Sequence, residues 1–130
     1  MTFSLDANTI IALFKGNKQI WKNLERHSTL DCVVSSIVMH ELYFGAFNSA
    51  RVKENLDRIG ALRFEVVDFA RGDSRTAGEV RTNLARIGKP IGPLDTLIAG
   101  QALARGFTVI TRNIREFSRV EGLSFENWED

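Results

Sequence analysis

The chain has 130 residues, enough for one domain around one core, and its 44% hydrophobic and 25% charged residues are the balance of a water-soluble globular protein. Its net charge of +1 by itself says nothing for a nucleic-acid partner, and no apolar run reaches the roughly 18 residues that cross a bilayer. The opening stretch meets a charge at Asp6 and carries no basic segment, so neither a signal peptide nor a membrane span is expected.

Phe3-Ser4-Leu5 reads as a short buried strand that ends at Asp6. Ile10, Ile11, Leu13 and Phe14 predict a short helix stopped by Gly16-Asn17. Ile20, Trp21 and Leu24 form the apolar stripe of a second helix, ending near His27. Leu30-Asp31-Cys32-Val33-Val34 is a β-branched run, hence a second strand. Cys32 is the only cysteine, which excludes an internal disulfide and reads as a buried thiol in a reducing compartment, the cytoplasm. A third helix, capped by Ser35 or Ser36, runs from Ile37 to about Phe47. It is apolar nearly all round, the pattern of a buried helix. Glu41 sits in its middle, where a carboxylate is costly unless it pairs with an arginine or binds a cation.

Val52, Leu56, Ile59 and Leu62 mark a fourth helix, and Phe64-Glu65-Val66-Val67 a third strand of edge character. Asp68 is placed to cap a long helix with the stripe Ala77, Val80, Leu84 and Ile87, which Gly88 ends. Ile91-Gly92-Pro93-Leu94-Asp95-Thr96-Leu97-Ile98-Ala99 then turns tightly into a buried helix that stops at Gly106. Gly92 falls at its N-cap and Pro93 at the first helical position, where a missing N–H costs nothing. Asp95 lies in the first turn, against unpaired N–H groups and the positive end of the dipole. Phe107-Thr108-Val109-Ile110-Thr111 is a fourth strand with Arg112-Asn113 at its end. A helical turn covers Ile114 to Phe117, and Leu123 to Trp128 adds a short edge strand.

Strands alternate with helices throughout. The pattern predicts a single domain over residues 1–130, a three-layer α/β/α sandwich with a mainly parallel sheet of four or five strands. In such sheets ligands bind at the carboxyl ends of the strands, near a switch in strand order. Asp6 follows the first strand and Asn113 the fourth, while Glu41 and Asp95 lie on helices entered from the same edge. Four oxygen-bearing side chains can therefore converge.

Carboxylates without histidine or cysteine make a hard-cation site, suited to Mg²⁺ or Mn²⁺ held by few carboxylates and several waters. His27 and His40 have no metal-ligand spacing. Without the ion, one of the packed carboxylates should take up a proton. With it, a water can be oriented and deprotonated beside a phosphodiester. The segment Arg71–Arg119 carries a net +5 and the tail from Val120 a net −4. An arginine-rich half suits a phosphate backbone and suits a solvated helix face equally well. There is no Gly-rich phosphate loop, no dinucleotide fingerprint and no nucleophile elbow.

Leu5-Asp6-Ala7-Asn8, Glu41-Leu42 with Gly45-Ala46, Ile91 to Ala99, and Val109-Ile110-Thr111-Arg112-Asn113 with Glu116-Phe117 together resemble the PIN-domain ribonucleases. More specifically they resemble the VapC toxins of bacterial toxin–antitoxin pairs. The resemblance spans nearly the whole chain, and the stretch around Asp95 is its most specific part. It implies a Mg²⁺-dependent endoribonuclease acting on structured RNA, transfer or ribosomal, with the family's acidic residues falling on Asp6, Glu41 and Asp95. Asp6 and Asp95 would bind the metal directly, Glu41 directly or through water, and Thr111 and Asn113 would orient the carboxylates or the water. It also implies a homodimer and a small cognate antitoxin whose arm docks near the site, with operator DNA reached only through that antitoxin. Two positions depart from the family pattern. Ala7 stands where Thr or Ser is common, and Asn113 holds the fourth acidic position. Those departures give the alternative reading, a PIN-fold RNA- or protein-binding module with weakened chemistry.

Overall fold

The computed structural model describes residues 1–130. Its elements are β1 (Phe3–Leu5), α1 (Ala7–Phe14), α2 (Lys18–His27), β2 (Cys32–Ser35), α3 (Ser36–Phe47), α4 (Val52–Gly60), β3 (Glu65–Val67), α5 (Arg71–Arg86), α6 (Pro93–Arg105), β4 (Thr108–Ile110), α7 (Ile114–Phe117) and β5 (Ser124–Glu126). All four strand pairings are parallel, in the order β3-β2-β1-β4-β5, and helices flank the sheet to make the expected three-layer sandwich. The three central strands are mostly apolar and wholly buried, as a parallel sheet covered on both faces requires, while β3 and β5 are the more exposed edges.

The chain winds outward from β1 to β3, then returns to lay β4 on the other side of β1. Strand order therefore reverses between β1 and β4. Their carboxyl ends, Leu5-Asp6 and Ile110-Thr111, flank the crevice that such a reversal opens. The core runs through the central strands and the inner faces of the helices, and Trp128 closes it beside Phe3 and His27. The His27 ring lies flat on Trp128, 5.2 Å away, so this histidine is a packing residue. The Cys32 thiol is buried, and burial with the nearby Asp31 charge pushes it up to about 11, an unreactive thiol.

The first helix starts at Ala7, ahead of its apolar residues, because Asp6 caps it. Three local expectations are corrected. The second strand starts at Cys32; Thr29–Asp31 is a short 3₁₀ turn, and Leu30 stands in solvent. Asp68 does not cap α5. Asp73 does that work, taking the Ala70 N–H on Oδ2 at 2.7 Å, while the Asp68 carbonyl receives Arg105 and Gln101 from α6. Asp73 also meets Arg105 in a two-pronged pair at 3.1 and 2.7 Å. Burial opposes its charge, but Arg105, the Ala70 N–H and Gln101 outweigh that and hold the carboxyl below its usual range. Finally, α3 is not buried all round: Val38, Leu42 and Ala46 face the core, whereas Tyr43, Phe44 and Phe47 are exposed. Its apolar residues outnumber the inward positions a helix can offer.

Candidate acidic site at the reversal of strand order

Asp6 leaves the end of β1 in extended backbone and caps α1, its Oδ1 accepting the Thr9 N–H at 2.8 Å. The Asp6 N–H and the Thr9 hydroxyl both donate to the Ile110 carbonyl, each at 3.0 Å. The last residue of β4 thus fixes the aspartate from two directions. Asp95 sits in the first turn of α6, which the Gly92-Pro93 start brings to the same edge. Glu41 projects from the middle of α3.

These three carboxylates feel one another. Glu41 is pushed up to about 7, first by burial, then by Asp95 and Asp6. Asp95 is pushed up to about 6 by burial, by the charge of Glu116 and by Asp6; a hydrogen-bonding contact with the Glu116 carboxyl adds to the rise, and the Asn113 amide opposes it. Two carboxyls, not one, are thus held toward their neutral form. No arginine neutralises the cluster: the ion pairs of this fold are Arg51–Glu54 and Arg105–Asp73. The salt-bridge explanation of Glu41 is excluded. Its Oε1 is buried and has no hydrogen-bond partner at all. A buried acceptor left unmade is costly, and it marks a place where a donor or a cation belongs.

Asn113 lies beside Asp95, its Nδ2 3.5 Å from Asp95 Oδ2. Its own N–H donates to Thr111 Oγ1 at 2.9 Å. Thr111 is fully buried, and its hydroxyl accepts the Asn113 N–H. Glu116 enters from α7, one turn beyond Asn113. Its sequence signal was spacing alone, and it differs little from that of a solvated face.

The donor set is all oxygen, which suits a hard cation. No three acidic, histidine or cysteine side chains draw close enough to form a ready-made cage. An ion here would keep several waters, as Mg²⁺ does. The oxygen-only set and the orphaned Glu41 oxygen fit such an ion. Glu41 also lines a groove of about 240 Å³, with Ile11, Phe14, Leu42 and Ile59 as its apolar wall and Lys15 and Arg58 as cations.

The PIN domain family matches residues 4–123. The chain is similar to the tRNA(fMet)-specific endonuclease VapC of Salmonella typhimurium, 37% identical over 130 residues that cover 98% of each chain. It is also similar to ribonuclease VapC2 of Rickettsia felis, 36% identical over 135 residues covering 99% of each. Among solved structures, VapBC2 of Rickettsia felis bound to a DNA fragment from its promoter superimposes with a TM-score of 0.93 at 35% identity, covering 98% of this chain and 99% of that one.

Proposed function

The chain belongs to the PIN-domain family, as a VapC-type ribonuclease toxin of a VapBC toxin–antitoxin pair, and from that premise we propose a metal-dependent endoribonuclease centred on Asp6, Glu41 and Asp95. The observation that carries the metal is the buried, unpartnered Glu41 oxygen, set among like charges and in no ion pair. A bound Mg²⁺ or Mn²⁺ supplies Lewis acidity and a deprotonated water at neutral pH.

The chain's own residues do the rest. Asp6 and Asp95 hold the ion, and Glu41 either joins them or binds one of its waters. Capping α1 keeps Asp6 in a single orientation, because the Thr9 N–H occupies Oδ1 and leaves Oδ2 for a ligand. The Asn113 amide steadies Asp95, and Thr111 steadies Asn113. Glu116 brings a further negative charge beside Asp95, which a bound cation would offset. Asn113 and Ala7 leave these three carboxylates in place, which favours catalysis over the binding-only alternative.

The substrate in this reading is structured RNA, with transfer RNA ahead of ribosomal RNA because of the tRNA(fMet)-specific relative. The partner is a small antitoxin whose arm lies in the groove beside Leu42 and Ala46 and directs a cation at Glu41, with DNA reached only through it. A cytoplasmic homodimer completes the proposal. The purified protein, incubated with transfer RNA and with ribosomal RNA, should cut transfer RNA in Mg²⁺ or Mn²⁺ and stop in EDTA. Cleavage that persists in EDTA sinks the metal assignment, and discrete cuts in ribosomal RNA alone sink the substrate.

A further inference from the structure

Beside Asp6 lies a second cavity, of about 320 Å³, that none of the acidic chemistry uses. It sits where the α1–α2 turn, the end of β4 and the last residues of the chain meet, at the ligand-binding edge of the sheet. Its polar lining is Asn8, Lys15, Asn17, Arg112 and Glu129. Its size is at the lower end of pockets that take small ligands, roughly 300 Å³ and upward. Lys15 and Arg112 are exposed, and neither is engaged in an ion pair. Glu129 is within electrostatic reach of both Arg112 and Asp6, and its Oε2 is buried without a hydrogen-bond partner. Asn17 is already committed to capping α2 through its Oδ1.

We propose that this cavity is a nucleotide subsite, holding one unstacked nucleotide of the RNA next to the bond that is cut. The proposal rests on the nuclease reading above. Lys15 and Arg112 take the phosphate flanking the scissile one, and the unpaired Glu129 oxygen accepts a hydrogen bond from a base amino group. Two cations against one carboxylate favour a phosphate-bearing ligand over a basic peptide arm. The position fits as well: Asn8, two residues after Asp6, lines this cavity, and Glu129 in its wall feels the Asp6 charge. Specific RNA recognition reads splayed-out bases of this kind, and a carboxylate reads amino groups. Guanine, adenine and cytosine carry one and uracil does not, so Glu129 selects against uracil at one position beside the cut.

The test uses the full-length protein and hairpin RNA substrates with randomised nucleotides on both sides of the cut, the products being sequenced. Wild type should disfavour uracil at one flanking position by roughly ten-fold, the scale of one base-edge contact. Glu129→Gln, whose amide both donates and accepts, should remove that bias while cleavage continues. Lys15→Ala, a change at an exposed position, should raise KM several-fold with kcat little changed. Unchanged bias in Glu129→Gln together with unchanged KM in Lys15→Ala overturns the subsite. So do variants that cut RNA as wild type does but escape inhibition by the antitoxin, which would assign the cavity to the antitoxin. A wild type that cuts no RNA in Mg²⁺ or Mn²⁺ refutes the nuclease reading itself, and the subsite with it.

Discussion

Glu41 in the metal-free fold has two neighbours of its own sign and no donor for its buried oxygen, so it holds a proton up to about pH 7; Asp95 does so to about pH 6. In the unfolded chain both are ordinary carboxyls, titrating near 4. Between about pH 4 and pH 7 the folded protein therefore binds more protons than the unfolded one. Its stability is full below that range and falls as pH rises through both folded values. The melting temperature of the EDTA-treated protein should drop by several degrees from about pH 5 to about pH 8, a loss on the order of 3 kcal/mol. Mn²⁺ should cancel the drop by binding the folded form alone. A melting temperature that stays level or rises over this range in EDTA contradicts the raised carboxyls. In the proposed metal site, Asn113 would govern how many ions enter. With an amide at this position and no closed cage, calorimetric titration of the RNA-free protein should find one Mn²⁺ site at most, and Asn113→Asp should add a second. Two tight sites in wild type, unchanged by the substitution, would refute this. The carboxylates themselves were legible in the sequence, because a charge inside an apolar helix or at a strand end stands out. Glu116 and Glu129 were not distinctive, since both lie in polar stretches like any solvated face.

At the scale of elements, α6 carries Asp95 and is placed by its packing on α5. A Cβ at Gly100 would fall 2.5 Å from Ala77 Cα and Cβ, so these helices touch backbone to backbone there. Gly100→Ala must push them apart. The overpacking cost, roughly 1–3 kcal/mol, exceeds the helix propensity gained, about 1 kcal/mol at most. Gly78→Ala, which meets open space in α5, should be neutral or stabilising by up to about 1 kcal/mol. Urea unfolding of the two variants checks the pair, and RNA cleavage should fall only in Gly100→Ala, where Asp95 moves. Equal stabilities contradict the close contact. Apolar periodicity located both helices, but it carries no information on how near they approach. It also misjudged α3. Hydrophobicity shows that a face avoids water, not what covers it, and Tyr43, Phe44 and Phe47 have no cover within this chain. Asp68 fails as the expected cap for a similar reason: Asp73 is held in that place by Arg105 and Gln101, far away in sequence.

For the molecule as a whole, the alternation of strands and helices was enough to give the sandwich, and the rule for parallel sheets gave the edge on which the acidic residues meet. The strand order itself was not legible. Strands of three or four residues carry no pairing signal, and only the structure shows β4 beside β1, which locks Asp6 to Ile110. Nor did the sequence indicate that the chain end returns to the site through β5, bringing Glu129 with it. Function is set against stability: the fold holds together carboxylates that repel, and the proposed cation would relieve the repulsion. The direct measurement is Asp95→Asn, followed by RNA cleavage in Mg²⁺ and by thermal unfolding in EDTA at about pH 8. Cleavage should fall by roughly a hundred-fold or more, the scale of losing a group that stabilises developing charge, while the melting temperature stays level or rises because a repelling charge is gone. A variant that cleaves RNA at the wild-type rate would contradict the central claim.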